Sequence, residues 1–466
     1  MSQPVSFLGR AELLIGSKEA EAVGRGVARF TTKRDHAVSE FTAMDDLRDR
    51  ARAIRLHSLD HLDRLLGQFA DQLAAAGGHV HFAADGSEAN DVISGILERT
   101  GSKLVVKSKS MVSEEVELNQ HLERGGVRVV ETDLGEYIAQ LADDTPSHII
   151  APVLHWTRQD VGELFARELD VPYTEDPTEL NAIARERLRD VFLQADAGIS
   201  GVNMAVAESG SVILVTNEGN GRFTTTAPRV HIALMGMERI VASWEDASII
   251  LEVLARSATG QHLSVYTNVV TGPRRERDHD GPEEVHVVIL DNGRSEILAG
   301  PTAEILACIR CGACLNVCPV FRSVGGHAYG AVYSGPVGSI VTPGLQGMDP
   351  WWDLPYASTL CGACEEVCPV RIQIPSMLLE LRRQAASDGR LPGWLEAGMR
   401  RYARTAASPG KWARAKKWAS RLSAPFSRQG WIKRIPGPAR GWTRYRDFPR
   451  PAKESFGEWW RKNRGS

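Results

Sequence analysis

Cys308-Ile-Arg-Cys311-Gly-Ala-Cys314-Leu-Asn-Val-Cys318-Pro319 is the stretch that decides how this chain is read. Its C-x2-C-x2-C-x3-C-P spacing is the pattern that wraps an iron–sulfur cluster. A second run, Cys361-Gly-Ala-Cys364-Glu-Glu-Val-Cys368-Pro369, follows. All 7 cysteines of the chain lie in these two runs, so none is left for packing, disulfides or nucleophilic catalysis.

Two-residue spacings let a tight loop point three sulfurs inward. The small residues between them (Gly312, Ala313, Gly362, Ala363) let backbone amides approach the inorganic sulfide. In two-cluster ferredoxins the last cysteine of each run reaches across to the other cluster. Applied here, cluster 1 takes Cys308, Cys311, Cys314 and Cys368, and cluster 2 takes Cys318, Cys361 and Cys364. The second run is one cysteine short, and counting back three from Cys361 lands on Ser358. Cluster 1 is expected as [4Fe–4S]. Cluster 2 is expected as [4Fe–4S] with Ser358, water or another residue on its fourth iron, or as [3Fe–4S]. Paired C-x2-C knuckles also bind zinc, but zinc wants four ligands and seven cysteines divide badly into fours. The odd count and the metal-type spacing argue against a disulfide framework.

A length of 466 residues predicts two or three domains, and a hydrophobic share of 43% is ordinary for a soluble protein. There is no apolar run long enough for a transmembrane helix. The stretch Met1 to Gly16 lacks a basic patch followed by an apolar core, so no signal peptide is expected. Reduced thiols and oxygen-sensitive clusters point to the cytoplasm. The net charge of −3 hides an asymmetry. From Arg400 to Ser466 there are 19 Lys plus Arg against 3 Asp plus Glu, a net of +16, while the remainder nets −19. Six of the 11 tryptophans lie in the same tail: Trp412, Trp418, Trp431, Trp442, Trp459 and Trp460. Such a tail suits docking on an acidic body or partner subunit, or peripheral contact with an anionic membrane surface. Nucleic acid fits less well, because no nucleic-acid module accompanies the charge.

Residues 1–76 read as an N-terminal helical segment. Strands are expected at His79–Ala83, Lys103–Lys107, Val127–Glu131 and His148–Leu154. Helices are expected over Asp85–Arg99, Ser113–Arg124, Arg158–Leu169 and Thr178–Gln194. After Gly198 the texture changes to successive strands (Met204–Glu208, Ser211–Thr216, Val230–Leu234), a helix over Ser243–Ser257 and a late strand at His286–Leu290. The alternation argues for a layered α/β domain over residues 77–300 with a largely parallel sheet. Residues 301–383 form the cluster domain. Its Gly-rich connection, Gly325 to Pro336, reads as turns over the clusters or as a place for His327 or Tyr329 to help with a ligand. Residues 384–466 form a basic appendage of short helices broken at Pro409-Gly410 and at Pro436-Gly-Pro438.

In the α/β domain, Asn217-Glu-Gly-Asn-Gly-Arg222 is either a hairpin turn or a ligand loop. As a ligand loop, Gly219 and Gly221 permit close backbone approach, and Arg222 would clamp a carboxylate. Glu208 is a candidate base or nucleophile, or simply a turn neighbour. Lys107 and Lys109 are anion-site candidates, with surface charge as the plainer account. His155 and His231 have no visible partner in the sequence. No G-x-G-x-x-G and no G-x-x-x-x-G-K-[ST] motif occurs, so nothing identifies a bound flavin or nicotinamide. Two-electron chemistry on an organic substrate needs such a sink, or a partner that has one.

Gly198-Ile-Ser-Gly-Val-Asn203, Glu208-Ser-Gly-Ser211 and Asn217-Glu-Gly-Asn-Gly-Arg222 together resemble the LUD (lactate utilization) domain family. The two cysteine runs after them, with Gly326-His-Ala-Tyr-Gly330 and Tyr333-Ser-Gly-Pro336 between, resemble the lactate utilization protein B (LutB) family. The resemblance covers nearly the whole chain. It implies a NagB/RpiA/CoA-transferase-like LUD domain followed by a mostly α, ferredoxin-like two-cluster domain. It also implies work alongside LutA-like and LutC-like subunits in oxidising L-lactate to pyruvate, with two [4Fe–4S] clusters. The expected function is therefore an iron–sulfur electron-transfer subunit of an L-lactate-oxidising complex, an oxidoreductase subunit that acts with partner proteins. The alternatives are an acyl- or CoA-transferase-like enzyme with structural or redox-sensing clusters, and a scaffold subunit.

Overall fold

Short apolar runs, half of them followed by a helix with its own polar cap, build the central sheet of the molecule. The computed structural model describes residues 6–435, 437–444 and 446–464. Contacts divide the chain into two units, Met1–Gln384 and Ala385–Ser466.

The first unit holds ten strands: β1 His79–Ala83, β2 Leu104–Lys107, β3 Arg128–Glu131, β4 Ala197–Gly201, β5 Met204–Val206, β6 Ser211–Thr216, β7 Val230–Gly236, β8 Ile240–Val241, β9 Tyr266–Val270 and β10 Glu284–Leu290. Six of them form one sheet in the order β1-β10-β7-β4-β2-β3, and every pairing is parallel. A parallel sheet carries helices on its faces, so its central strands are apolar without alternation. Strand β7 accordingly has no exposed residue over its seven positions. The helix Gly86–Thr100 shows how a crossover is punctuated. The Asp85 carboxylate accepts the Glu88 amide at its start, and Gly101 closes it at φ +68°.

A second sheet has the order β8-β5-β6-β9, with β6 antiparallel to both of its neighbours. The β5–β6 hairpin turns through Ala207–Gly210, where Gly210 has φ +65°. By contrast, Asn217–Gly221 is no hairpin. It joins β6 to a short helix, Asn220–Thr226. That helix crosses β4 at Gly198, where any Cβ would strike the Thr224 carbonyl oxygen.

Four helices precede the sheet: Phe7–Leu14, Lys18–Ser39, Met44–Asp60 and Leu62–Ala75. Those over residues 18–60 share one apolar core with the helix Trp244–Thr259 and the cysteine region. The expected strand over His148–Leu154 is absent: these residues form a turn-rich segment. The Ser147 amide donates to the Pro152 carbonyl, so the chain closes on itself instead of extending, and Ile149 packs on the cysteine loops. The single helix expected over Ser113–Arg124 is interrupted at Glu117, whose φ is +52°.

The second unit contains the helices Gly393–Ala406, Pro409–Ser423 and Phe456–Asn463. It also holds a small antiparallel sheet, Ser427–Arg428, Trp431–Ile432 and Phe448–Pro449. The first two of these strands meet through Gln429 and Gly430, both at positive φ, a combination that suits a two-residue hairpin. Pro409 opens a helix, since its missing N–H costs nothing at a first helical position. The other expected break begins at Pro436, which lies outside the described residues, as do Met1–Val5, Tyr445, Gly465 and Ser466.

Candidate functional site

The cysteine loops depend on backbone that few residues accept. Arg310 (φ +57°), Gly312 (φ +76°), Leu360 (φ +54°) and Gly362 (φ +85°) all lie in the left-handed region. These turns bring Cys308, Cys311, Cys314 and Cys368 to the wall of one small cavity, roofed by Ile149, Val337 and Ile374. Cys318 keeps company with Cys361 and Cys364 instead. Burial pushes the Cys364 thiol up to about 12, and Cys318 and Cys361 add to that push. The two groups adjoin, because Cys364 also bears on Cys314. Six cysteines are buried or half-buried, and Cys361 is exposed. Ser358 is half-buried, and its hydroxyl accepts the Leu360 amide at 3.1 Å.

The loops also direct backbone amides at sulfur. Arg310 N–H donates to Cys308 Sγ at 3.3 Å, and Ile372 N–H donates to Cys368 Sγ at 3.4 Å. Arginines from the N-terminal helices add positive charge. Arg48 donates to the Cys368 carbonyl through Nε at 3.1 Å and Nη2 at 2.9 Å. Arg55, fully buried, donates to the carbonyls of Ala307 and Leu306 just before Cys308. Arg239, at the entrance to β8, donates to the Cys308 carbonyl at 3.2 Å.

This surrounding fits an anionic iron–sulfur group. Buried polar atoms normally find a partner. Among the described residues those without one here include Tyr329 Oη, which faces Cys314 and Cys318, Arg34 Nε, on a side chain that faces Cys311, and Arg310 Nε and Nη1, on a residue that lines the cavity wall. The Tyr329 and Arg34 atoms are donors on side chains that face the cysteine thiols. A single zinc ion fits less well. Tetrahedral sulfurs at about 2.3 Å from zinc stand about 3.8 Å apart. Among the described residues no three cysteine sulfurs lie within 4.8 Å of one another.

A larger cavity of about 330 Å³ shares Ile149 and Arg310 with the cysteine cavity. Its walls include Lys109, Asn203, Asn217, Glu218, Arg239 and Tyr333. Beneath it lies a buried charge network. Arg294 donates to Glu115 through Nη1 and Nη2, at 2.9 and 2.8 Å, and to Glu238 through Nε at 2.7 Å. The Tyr333 hydroxyl donates to Glu115 at 2.9 Å, and the Arg310 guanidinium lies 4.3 Å above the Tyr333 ring. Burial opposes charge on Glu238, yet Arg294, Arg239 and Arg310 hold its carboxyl down at about 2. Glu218 is exposed as a residue, but partial desolvation of its carboxyl, reinforced by Asp133, pushes it up to about 7.

Of the α/β residues singled out in the sequence, Asn217 lines this cavity, and its side chain is held by Gln261. Gly219 and Gly221 shape the turn into the helix Asn220–Thr226. Arg222 lies on that helix, exposed. Glu208 is exposed and accepts the Trp244 amide at the start of a helix. Lys107 is not a surface charge: it is 1% exposed and pairs with Glu131 at 2.7 Å. His155 has partners, Asp144 at 2.9 Å and Ser147 at 2.7 Å, and His231 meets Ser200 at 2.8 Å. His327 joins Thr145 and lies beside Asp144. The residues the sequence does not flag are Arg239 and Arg310, while Glu218 lies inside the possible ligand loop and Tyr333 heads a motif of the family resemblance. Arg310 had one visible signal, a charged residue between two clustered cysteines.

Comparison with known proteins divides the chain in the same sequence order. Residues 66–290 match the LUD domain, residues 304–372 the 4Fe-4S dicluster domain, and residues 392–465 the C-terminal region of lactate utilisation protein B. Lactate utilization protein B of Bacillus subtilis is 47% identical over 440 residues, covering 94% of this chain and 92% of that protein. The protein of the same name from Shouchella clausii is 47% identical over 442 residues, covering 95% and 93%. That of Bacillus velezensis is 46% identical, covering 94% and 93%.

Proposed function

The chain belongs to the lactate utilization protein B family, and we propose that this iron–sulfur protein passes electrons during the oxidation of L-lactate to pyruvate. Cluster 1 is held by Cys308, Cys311, Cys314 and Cys368. Cluster 2 is held by Cys318, Cys361 and Cys364, with a fourth position for Ser358, water or another residue. Both are [4Fe–4S] in this reading, and [3Fe–4S] is the alternative for cluster 2. Two adjacent one-electron centres let a two-electron oxidation be divided into single steps.

The observation that carries the reading is the grouping of the seven cysteines. They form two adjoining sets in one core, the inner set sealed by apolar side chains and the outer reaching the surface at Cys361. Buried Arg34, Arg55 and Arg239 offset negative charge at the inner set. Exposure at Cys361 gives electrons a way to a partner. We assign residues 1–76 to a helical brace, 77–300 to the LUD domain, 301–383 to the cluster domain and 384–466 to the basic appendage. LutA-like and LutC-like subunits are the partners. Among the described residues no helix is long and apolar enough to cross a membrane. The exposed Trp418, Trp442, Trp459 and Trp460 suit peripheral contact at the cytoplasmic face.

The test is anaerobic. L-lactate added to this protein with its A and C partners should bleach the cluster absorbance as fully as dithionite does. Bleaching by dithionite with none by lactate would overturn the proposal.

A further inference from the structure

We propose that the cavity beside the first cysteine loop is a binding site for a small 2-hydroxy or 2-oxo monocarboxylate, with the Arg310 guanidinium as its carboxylate clamp. The ligand class rests on the lactate-utilization reading. The anion site itself rests on geometry.

Arg310 is the central observation. Its side chain is 9% exposed, yet among the described residues Nε and Nη1 have no hydrogen-bond partner. Only Nη2 approaches a charge, Glu238 at 3.8 Å, and the guanidinium face is taken by Tyr333. The planar fork is thus held by stacking while two of its donating nitrogens remain free. A carboxylate meets such a fork with parallel charge-assisted hydrogen bonds. Lys109 supports the same assignment. Its Nζ is 3.5 Å from Glu136, makes no hydrogen bond, and its side chain lines the cavity.

The rest of the lining sets the ligand class. Ile149, Ile150, Val215 and Leu254 supply apolar wall, which suits a short carbon chain. Asp133 and Glu218 contribute carboxyl groups, which disfavour a second anionic group and suit a hydroxyl. The Glu218 carboxyl, pushed up to about 7 by desolvation and by Asp133, can donate to a hydroxyl or keto oxygen when protonated. A ligand here lies against the wall shared with the cysteine cavity.

The experiment is calorimetric titration of pyruvate and of L-lactate into the full chain, purified anaerobically with its clusters. Arg310→Gln should weaken binding by about tenfold or more, the size expected for a lost charge-assisted pair. Because Arg310 sits between two cysteines, iron content is measured on the same sample. Val215→Phe, remote in sequence from every cysteine, fills the cavity and should weaken binding by a similar factor with iron unchanged. Equal affinity in Val215→Phe and wild type would overturn the site, as would absence of binding to cluster-loaded wild type. A chain without iron would instead contradict the electron-transfer reading, so the two failures are distinguishable.

Discussion

Arg239 Nη1 donates a 3.2 Å hydrogen bond to the carbonyl oxygen of Cys308. Through it the parallel-sheet domain grips the first cysteine of the cluster domain. The same arginine faces Glu238 at 3.5 Å, and Glu238 is held in turn by Arg294. The two domains are therefore joined by buried charge as well as by apolar contact.

Breaking that network should be costly. Arg294→Met leaves Glu115 and Glu238 buried without their main counter-charge. Removing one partner of a buried pair typically costs about 3–5 kcal/mol. Urea unfolding of the anaerobic protein should show a loss of that order. A change below about 1 kcal/mol would mean the network relaxes by admitting water.

The crossed cysteine arrangement makes a sharper prediction. Cys368 lies in the second run but beside Cys308, Cys311 and Cys314. Cys368→Ser should therefore perturb the paramagnetic signal of cluster 1, and Cys361→Ser that of cluster 2. If both substitutions alter the same signal, the assignment of sulfurs to clusters is wrong.

Carboxylate binding should depend on pH through Glu218. Its carboxyl is pushed up to about 7 by partial desolvation and by Asp133. Below that pH it does not repel an anion in the cavity, and above it the new negative charge does. Affinity for pyruvate should therefore fall as pH rises through about 7, and Glu218→Gln should flatten the profile.

Much of this molecule was legible in its sequence because the governing signals are local. Strand β1 follows from a short apolar run, and the helix after it from Asp85 and Gly101. Cysteine spacing alone marked the cluster domain. The His148–Leu154 segment misled because its apolar residues pack against a loop far away in sequence, which β-propensity does not register. Strand β4 gives no strand signal, because Gly198 and Gly201 look like turn residues; close helix and loop approach is what they permit. Arg310 and Arg239 give no cavity signal in the sequence, since Tyr333 and Glu238, which meet Arg310, and Cys308, which meets Arg239, are more than twenty residues distant and become neighbours only when the domains pack.

The tail carries its own prediction. Its helix Phe456–Asn463 places Trp459 and Trp460 beside Arg461 and Lys462. Flotation with vesicles containing anionic lipid should carry the full chain upward, and removal of residues 400–466 should abolish this. Salt should weaken the association, because the attraction is screened. Identical flotation of both chains would exclude membrane contact through the tail.

The most direct test of the central claim is iron and acid-labile sulfide analysis, with electron paramagnetic resonance, on protein purified without oxygen. The account predicts about eight iron and eight sulfide per chain for two [4Fe–4S] clusters, or about seven iron with a three-iron signal. Colourless protein holding stoichiometric zinc would contradict it.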